Sequence, residues 1–96
     1  MTRLEQALVA IKTEGEAAAF LDLLFAPKEI PRLQRRWQTF QLGIEGHSNR
    51  DISQRLRIAV MTAGRGCRAA KKNPDFILTL VQRIRQDTAL AMSASS

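Results

Sequence analysis

The feature that most restricts the possible folds of this chain is a pair of short helical segments, residues 48–56 and 60–66, separated by three residues. Ser48 is suited to the N-cap of the first segment because its hydroxyl can accept from a free backbone N–H of the first turn. Asp51 stands three residues later, where an acid completes a capping box. Two short helices joined by such a turn form a helix-turn-helix unit, which we place at residues 48–72.

The apolar residues of these segments fit the packing of such a unit. Ile52 and Leu56 fall one turn apart on one helix face, and Ile58 and Val60 can close over that face from the turn and the second helix. Two-helix hairpins are also common as plain core elements. Shape alone therefore leaves DNA binding and a purely structural role equally open.

The distribution of charge favours nucleic-acid binding. The sequence has 15 Lys and Arg against 9 Asp and Glu, and a formal net charge of +6. Residues 32–72 contain ten basic and two acidic side chains, whereas residues 1–31 contain three basic and five acidic ones. A basic block that coincides with a helix-turn-helix pattern is typical of a phosphate-binding surface, because neutralised phosphates release counterions. The alternative is a solvated basic face that only maintains solubility.

Composition and length exclude several other classes. Ninety-six residues with 45% hydrophobic content predict one globular domain, residues 1–96. No apolar run approaches the roughly 18 residues that span a bilayer, and the N-terminus lacks the apolar segment of a signal peptide. The single Cys67 cannot form an internal disulfide, which fits a reducing cytoplasm.

Neither a catalytic nor a metal site is predicted. His47 is the only histidine, and no second His or Cys lies at helical spacing from it. No serine or cysteine has a histidine to activate it, and no Gly-rich loop follows a strand. We therefore do not expect an enzyme.

The periodicity of apolar residues predicts an all-α fold of six helices. The third has the clearest stripe, and its Pro31 requires either a helix start there or a preceding tight turn at residues 27–29. The first helix is capped by Thr2 and ends near Gly15, the second covers 16–24, the third ends at Gly46, and two short helices cover 49–56 and 59–71. The last helix starts at Asn73-Pro74-Asp75, and its apolar face consists of Phe76, Ile77, Leu80, Val81 and Ile84. A frayed tail is predicted at 89–96.

The helices carry more apolar surface than so short a chain can cover. The second is apolar nearly all round, so we expect it to be buried on more than one side. Pairing with a second copy would cover this surface, and a two-fold dimer also suits a helix-turn-helix that reads a palindromic site.

Residues 23–77 resemble the trp repressor family. Phe25-Ala26-Pro27-Lys28-Glu29 looks like that family's Leu-Thr-Pro-x-Glu turn, and Arg36 falls where a family arginine lies on the third helix. Ser48-Asn49-Arg50-Asp51-Ile52 resembles the family's Ser-Gln-Arg-Glu-Leu, and Thr62-Ala63-Gly64-Arg65-Gly66 resembles its Thr-Ile-Thr-Arg-Gly. The resemblance implies an intertwined homodimer that acts as a repressor of tryptophan-related genes, with L-tryptophan as a corepressor and no covalent cofactor.

The resemblance also implies where the corepressor binds. In that family L-tryptophan is held between two arginines, here Arg36 and Arg65, and guanidinium planes can stack on an indole and bind a carboxylate. The remaining expected contacts come from Leu23, Phe25 and Gly66. Two family hydroxyls are replaced, by Ala26 and Ala69. On the residues alone, phosphate-facing cations are the favoured interpretation of Arg36 and Arg65, because scattered arginines usually contact solvent or phosphate.

The expected interface with double-stranded operator DNA has three parts. Arg50 probes base edges or a phosphate, and Val60, Met61 and Thr62 face the major groove. Phosphate contacts come from Arg55, Arg68, Lys71 and Lys72. Two rivals stay open: a regulator of the same fold with a different corepressor or none, and a small helical adaptor whose second helix and Trp37 stripe bind a protein.

Overall fold

The computed structural model describes the backbone of residues 1–94 and the side chains of residues 1–88. This part of the chain forms six helices and no strand, which confirms the predicted all-α fold. The frayed tail predicted at 89–96 lies outside the residues whose side chains are described. Residues 95–96 lie outside the described backbone as well. The helices are α1 (Leu4–Ala10), α2 (Glu14–Leu24), α3 (Glu29–Ile44), α4 (Asn49–Leu56), α5 (Val60–Ala70) and α6 (Pro74–Ala94).

The chain divides into two compact units, the first comprising Met1–Gln34 and the second beginning at Arg35. The boundary between them falls within α3. The predicted single domain over 1–96 stays a prediction.

The helix starts in the first unit differ from the prediction. Arg3, not Thr2, is the N-cap of α1, and its N–H donates to the Gln6 side chain at 2.8 Å. The first helix ends at Ala10, because Thr13 caps a new helix: the Thr13 hydroxyl accepts from the Glu16 N–H at 3.1 Å, and the Glu16 carboxylate accepts in return from the Thr13 N–H. Gly15 therefore lies in the first turn of α2 and does not end α1.

The turn between α2 and α3 resolves the position of Pro31. The Glu29 N–H donates to the Ala26 carbonyl at 2.8 Å, and the Glu29 carboxylate accepts from the Ala26 N–H at 2.8 Å. A tight turn thus precedes the helix, and Pro31 is the third residue of α3, where its missing N–H leaves no helical bond unmade.

The sequence predicts that α2 is buried on more than one side, but within this chain it is not. None of its residues is buried, and Leu23 is 87% exposed. The apolar character of the helix is as predicted, but its side chains are at most partly covered: Ala17, Phe20 and Leu21 are half-buried and the others are exposed.

The core of the second unit lies between α3, α5 and α6. Ala70, Ile77 and Val81 are buried together. The α3 residues that pack on them are part of the predicted stripe, Trp37, Phe40 and Ile44. The apolar face of α6 is narrower than predicted, since Phe76 and Ile84 are about half exposed.

Small residues let α3 and α5 approach closely. A Cβ on Gly66 would lie 2.5 Å from Cγ2 of Thr39, and a Cβ on Gly43 would lie 3.1 Å from Sγ of Cys67. Thr39 is 2% exposed, and its hydroxyl donates to the Arg35 carbonyl at 2.7 Å. This fixed, buried side chain requires glycine at position 66.

Gly46 ends α3 as predicted. Its φ is +94°, the left-handed region that glycine adopts without strain. The Gly46 N–H donates to the Gly43 carbonyl and the His47 N–H to the Leu42 carbonyl, the paired bonds of a Schellman motif. The chain therefore reverses sharply and delivers His47 and Ser48 to the start of α4.

Candidate nucleic-acid interface

The first short helix begins as the sequence predicts, but its capping box does not close. The Ser48 hydroxyl accepts from the Asp51 N–H at 3.1 Å. The Asp51 carboxylate, expected to reach back to the Ser48 backbone, instead accepts from His47 Nδ1 and Arg55 Nε. Two nearby side-chain donors, one of them cationic, compete successfully with one neutral backbone donor.

The turn between the helices consists of three residues, 57–59. Arg57 has φ 56° and ψ 48°, a left-handed conformation that suits Gly or Asn better than arginine. The Arg57 and Ile58 N–H groups both donate to the Ser53 carbonyl. The Ser53 hydroxyl donates to the Ile58 carbonyl, which further fixes the turn.

The two short helices pack against each other, and Ile52 of the first and Ala63 of the second are fully buried. Val60, which was expected to cover the Ile52 face, is instead about half exposed, because Ala63 one turn later takes the buried position. Gly64 is also buried, and a Cβ there would lie 3.3 Å from the Asn49 side-chain nitrogen. The first turn of α5 therefore presents its side chains to solvent.

All eight residues predicted to contact DNA are exposed. The three groove-facing candidates occupy the first turn of α5, where Met61 is 69% exposed. Arg50 lies in the first turn of α4, and the remaining cations lie towards or just beyond the ends of the two helices: Arg55, Arg68, Lys71 and Lys72. Their exposure makes them accessible, and their roles at DNA remain predictions.

Most of the positive charge of this segment is free to meet phosphates. Among the side chains that the structure describes, Arg55 alone of the basic residues of 50–72 forms an ion pair, with Asp51. The exposed cations thus face solvent with little internal neutralisation, which suits binding to a polyanion.

A chain of polar contacts, missed by the sequence analysis, leads into α4. His47 Nδ1 lies 2.6 Å from Asp51 Oδ2, and Arg55 Nε lies 3.1 Å from both Asp51 oxygens. These bonds, the His47 bond first, hold the pKa of Asp51 below its ordinary value of 3.8. On the other side, His47 Nε2 lies 3.7 Å from Glu45, and Glu45 accepts from Arg85 at 3.2 Å. The spacing of residues 47, 51 and 55 by four was the available signal.

The predicted ligand residues of the second unit flank the close approach of α3 and α5. Gly66 packs on Thr39, with Arg65 adjacent to it and Arg36 almost one turn before Thr39. The Arg36 guanidinium lies 5.9 Å from the centre of the Phe40 ring, within cation–π range. Arg65 Nη2 lies 3.8 Å from the sulfur of Met61.

Both arginines are exposed, so their planar groups remain accessible. Gly66 is buried, and its packing explains the glycine without any ligand. In the first unit, Leu23 lies near the carboxyl end of α2 and is exposed, and the half-buried Phe25 is the C-cap of that helix.

A shallow cavity of about 230 Å³ lies elsewhere in the second unit. It is bounded by the end of α3, the end of α5 and the start of α6, with Gly43, Cys67, Ala70 and Leu78 among its lining residues. Arg36 and Arg65 do not line it. This cavity is therefore separate from the predicted ligand residues.

Comparison with known proteins identifies the family. None of the helices in the described part of the chain is both long and apolar enough to cross a membrane. Comparisons with curated proteins and with solved structures returned no match. Residues 1–85 match the family model described as Trp repressor protein. With that match and a helix-turn-helix whose first α5 turn is exposed, the chain belongs to the Trp repressor family, whose members are non-enzymatic DNA-binding transcriptional regulators.

Proposed function

We propose that this chain is a cytoplasmic repressor that binds operator DNA as a homodimer when complexed with L-tryptophan. The observation that carries the proposal is the exposed first turn of α5, Val60 to Thr62, on a helix anchored by the buried Ala63. A helix that packs against its neighbour and exposes its N-terminal turn can place that turn in a major groove. Val60 and Met61 would contact thymine methyl groups, and Thr62 would bond a base edge.

The exposed cations support binding from the phosphate side. Arg55 and Arg68 would contact the backbone from the two helices, with Lys71 and Lys72 following α5. Arg50 would approach a base edge or a phosphate from the first turn of α4. A protein adaptor would not need this concentration of unneutralised charge, and its binding would depend only weakly on salt.

The corepressor proposal rests on Arg36 and Arg65, two exposed planar cations on either side of the α3–α5 approach. An aromatic ligand with a carboxylate satisfies both, by stacking and by charge-assisted hydrogen bonds. Ala26 and Ala69 provide no hydroxyl for its amino group. In the first unit, the last carbonyls of α2, near Leu23 and Phe25, are the predicted acceptors for an ammonium group.

Calorimetric titration of the full chain with L-tryptophan, tryptamine and indole-3-propionate tests this site without an operator. We expect indole-3-propionate, which lacks the amino group, to bind only modestly more weakly than tryptophan, because Ala26 and Ala69 deprive that group of two hydroxyl partners, each worth about 0.5–1.5 kcal/mol. Tryptamine, which lacks the carboxylate, should bind much more weakly. Arg36→Ala should abolish tryptophan binding and leave DNA binding without ligand unchanged.

Two outcomes would contradict parts of the proposed function. If no indole binds and Arg36→Ala changes nothing, the chain is a regulator with another corepressor or none. If binding to duplex DNA is also insensitive to salt, the DNA-binding role is wrong and a protein-binding role replaces it.

A further inference from the structure

Arg55 is the one cation of the 50–72 segment that is ion-paired among the described side chains. Its contacts with Asp51 are made by Nε alone, at 3.1 Å to each carboxylate oxygen. Neither Nη group has a hydrogen-bond partner among the described residues, and the side chain is 55% exposed. The carboxylate therefore binds the inner edge of the guanidinium and leaves its outer N–H groups facing solvent.

Asp51 is itself held from two directions. Its N–H donates to the Ser48 hydroxyl, and its Oδ2 accepts from His47 Nδ1 at 2.6 Å. A carboxylate only accepts when ionised, so Nδ1 of His47 carries the proton. Because Asp51 is fixed by its own helix start and by His47, it provides a stationary anchor for Arg55.

We propose that Asp51 is the positioning residue that orients the Arg55 guanidinium for a DNA phosphate, with His47 holding Asp51 in place. The proposal rests on the proposed phosphate contact of Arg55. An arginine side chain loses rotamer freedom when it binds, and anchoring Nε removes much of that loss beforehand. The free Nη groups then form the fork that matches phosphate oxygens.

Positioning by Asp51 and simple electrostatics predict opposite effects of one substitution. Asp51→Asn removes a negative charge beside a DNA-binding surface, so charge alone predicts tighter binding. If Asp51 positions Arg55, the same change should weaken binding several-fold. It should also make the dependence of log K on log salt shallower by about 0.9, the value of one lost phosphate contact.

The test measures binding of the full chain to a random-sequence DNA duplex at several salt concentrations and neutral pH. Asp75→Asn is the matched control, since Asp75 is an exposed first-turn acid of α6 with no ion pair among the described side chains. Asp51→Glu should bind DNA like the parent chain, because a glutamate four residues before an arginine can keep the ion pair with Arg55. Arg55→Lys keeps the charge without Nε and should resemble Asp51→Asn.

Arg55→Ala tests the phosphate contact of Arg55 separately from the positioning role of Asp51, which depends on that contact. If Arg55→Ala leaves the salt dependence unchanged, the phosphate contact itself is wrong, and the positioning role fails with it. If Arg55→Ala makes the slope shallower but Asp51→Asn tightens binding, Asp51 does not position Arg55. Agreement requires that both variants reduce the slope and that Asp51→Asn no longer weakens binding in the Arg55→Ala background, where only its effect on charge remains.

Discussion

Among the individual residues, the two glycines of α5 have different reasons to be glycine. By helix propensity alone, both Gly64 and Gly66 weaken a helix. In the structure, a Cβ added to Gly66 would lie 2.5 Å from Cγ2 of the buried Thr39, whereas Gly64 faces the side-chain amide of the exposed Asn49. The contact between Gly66 and Thr39 joins residues that are far apart in the sequence, so helical periodicity could not have revealed it.

Gly66→Ala should destabilise the protein by about 1–3 kcal/mol, because overpacking a rigid contact forces the backbone to move. Thermal or denaturant unfolding followed by circular dichroism measures the change. Gly64→Ala is the matched control: the Asn49 side chain can move away, so the gain of about 1 kcal/mol in helix propensity should survive. Thr39→Ser, which deletes Cγ2 and keeps the hydroxyl, should partly rescue Gly66→Ala, since Cβ of residue 39 would still lie 3.2 Å from the added Cβ. If Gly66→Ala alone is as stable as the parent, the close approach of α3 and α5 is wrong.

Asp51 should make the free energy of unfolding fall as the pH is lowered. Its pKa in the folded protein lies below the ordinary value of 3.8, mainly through His47 and then Arg55. A carboxylate with a lowered folded pKa stabilises the native state above its unfolded pKa, and that contribution disappears as the pH falls through the folded pKa. Urea unfolding between pH 5 and pH 2.5 should therefore show a steeper loss of stability for the parent than for Asp51→Asn. Parallel curves would mean that the bonds from His47 and Arg55 do not stabilise the ionised form.

Among the helices, the boundaries that depend on local chemistry were predictable from the sequence. Gly46 ends α3, Ser48 caps α4, and Pro74 begins α6, because each effect acts within one helical turn. The break between α1 and α2 was predicted near Gly15 but lies at residues 11–13, where Thr13 and Glu16 form a recognisable capping box. A glycine in the first turn of a helix was mistaken for the terminator of the preceding one.

Only part of the candidate nucleic-acid interface was predictable from the sequence. The exposure of Met61 and Thr62 agrees with the sequence, but that of Val60 does not follow from the apolar pattern, which predicted that Val60 covers the Ile52 face. The direction of the Asp51 carboxylate does not follow from the sequence either, because it depends on competition among His47, Arg55 and the Ser48 backbone. Spacing alone identifies possible partners but does not rank them.

Arg57→Gly should stabilise the helix-turn-helix by about 1 kcal/mol, since a left-handed conformation strains any residue with a Cβ. The measurement is the free energy of unfolding in urea. Arg57→Ala is the control, because it removes the same charge and keeps the strain. Equal stabilities of the glycine and alanine variants would show that Arg57 is not held in the left-handed region.

Across the molecule, much apolar surface remains uncovered in the single chain. No residue of α1 or α2 is buried, and Val9 and Leu23 are 86% and 87% exposed. Exposed apolar patches of this kind mark interaction surfaces. A second copy is the occupant that also suits a helix-turn-helix regulator, because half-sites one helical turn apart require two reading helices.

The proposed homodimer should sediment at micromolar concentration with about twice the chain mass of 10.8 kDa. Val9→Glu should weaken association by placing a charge in the apolar surface. Gln6→Glu, an exposed change on the same helix, is the matched control. A folded monomer of the parent chain at that concentration would exclude the dimer.

Regulation of DNA binding by tryptophan is tested by the affinity of the full chain for a duplex selected from random sequences, measured by fluorescence anisotropy with and without saturating L-tryptophan. Coupling between a ligand and a second site is typically about 5–150-fold. We predict that tryptophan raises the affinity for the selected duplex at least about tenfold and that Arg36→Ala removes this response. Equal affinity with and without tryptophan, in the parent chain and in Arg36→Ala alike, would contradict the proposed function.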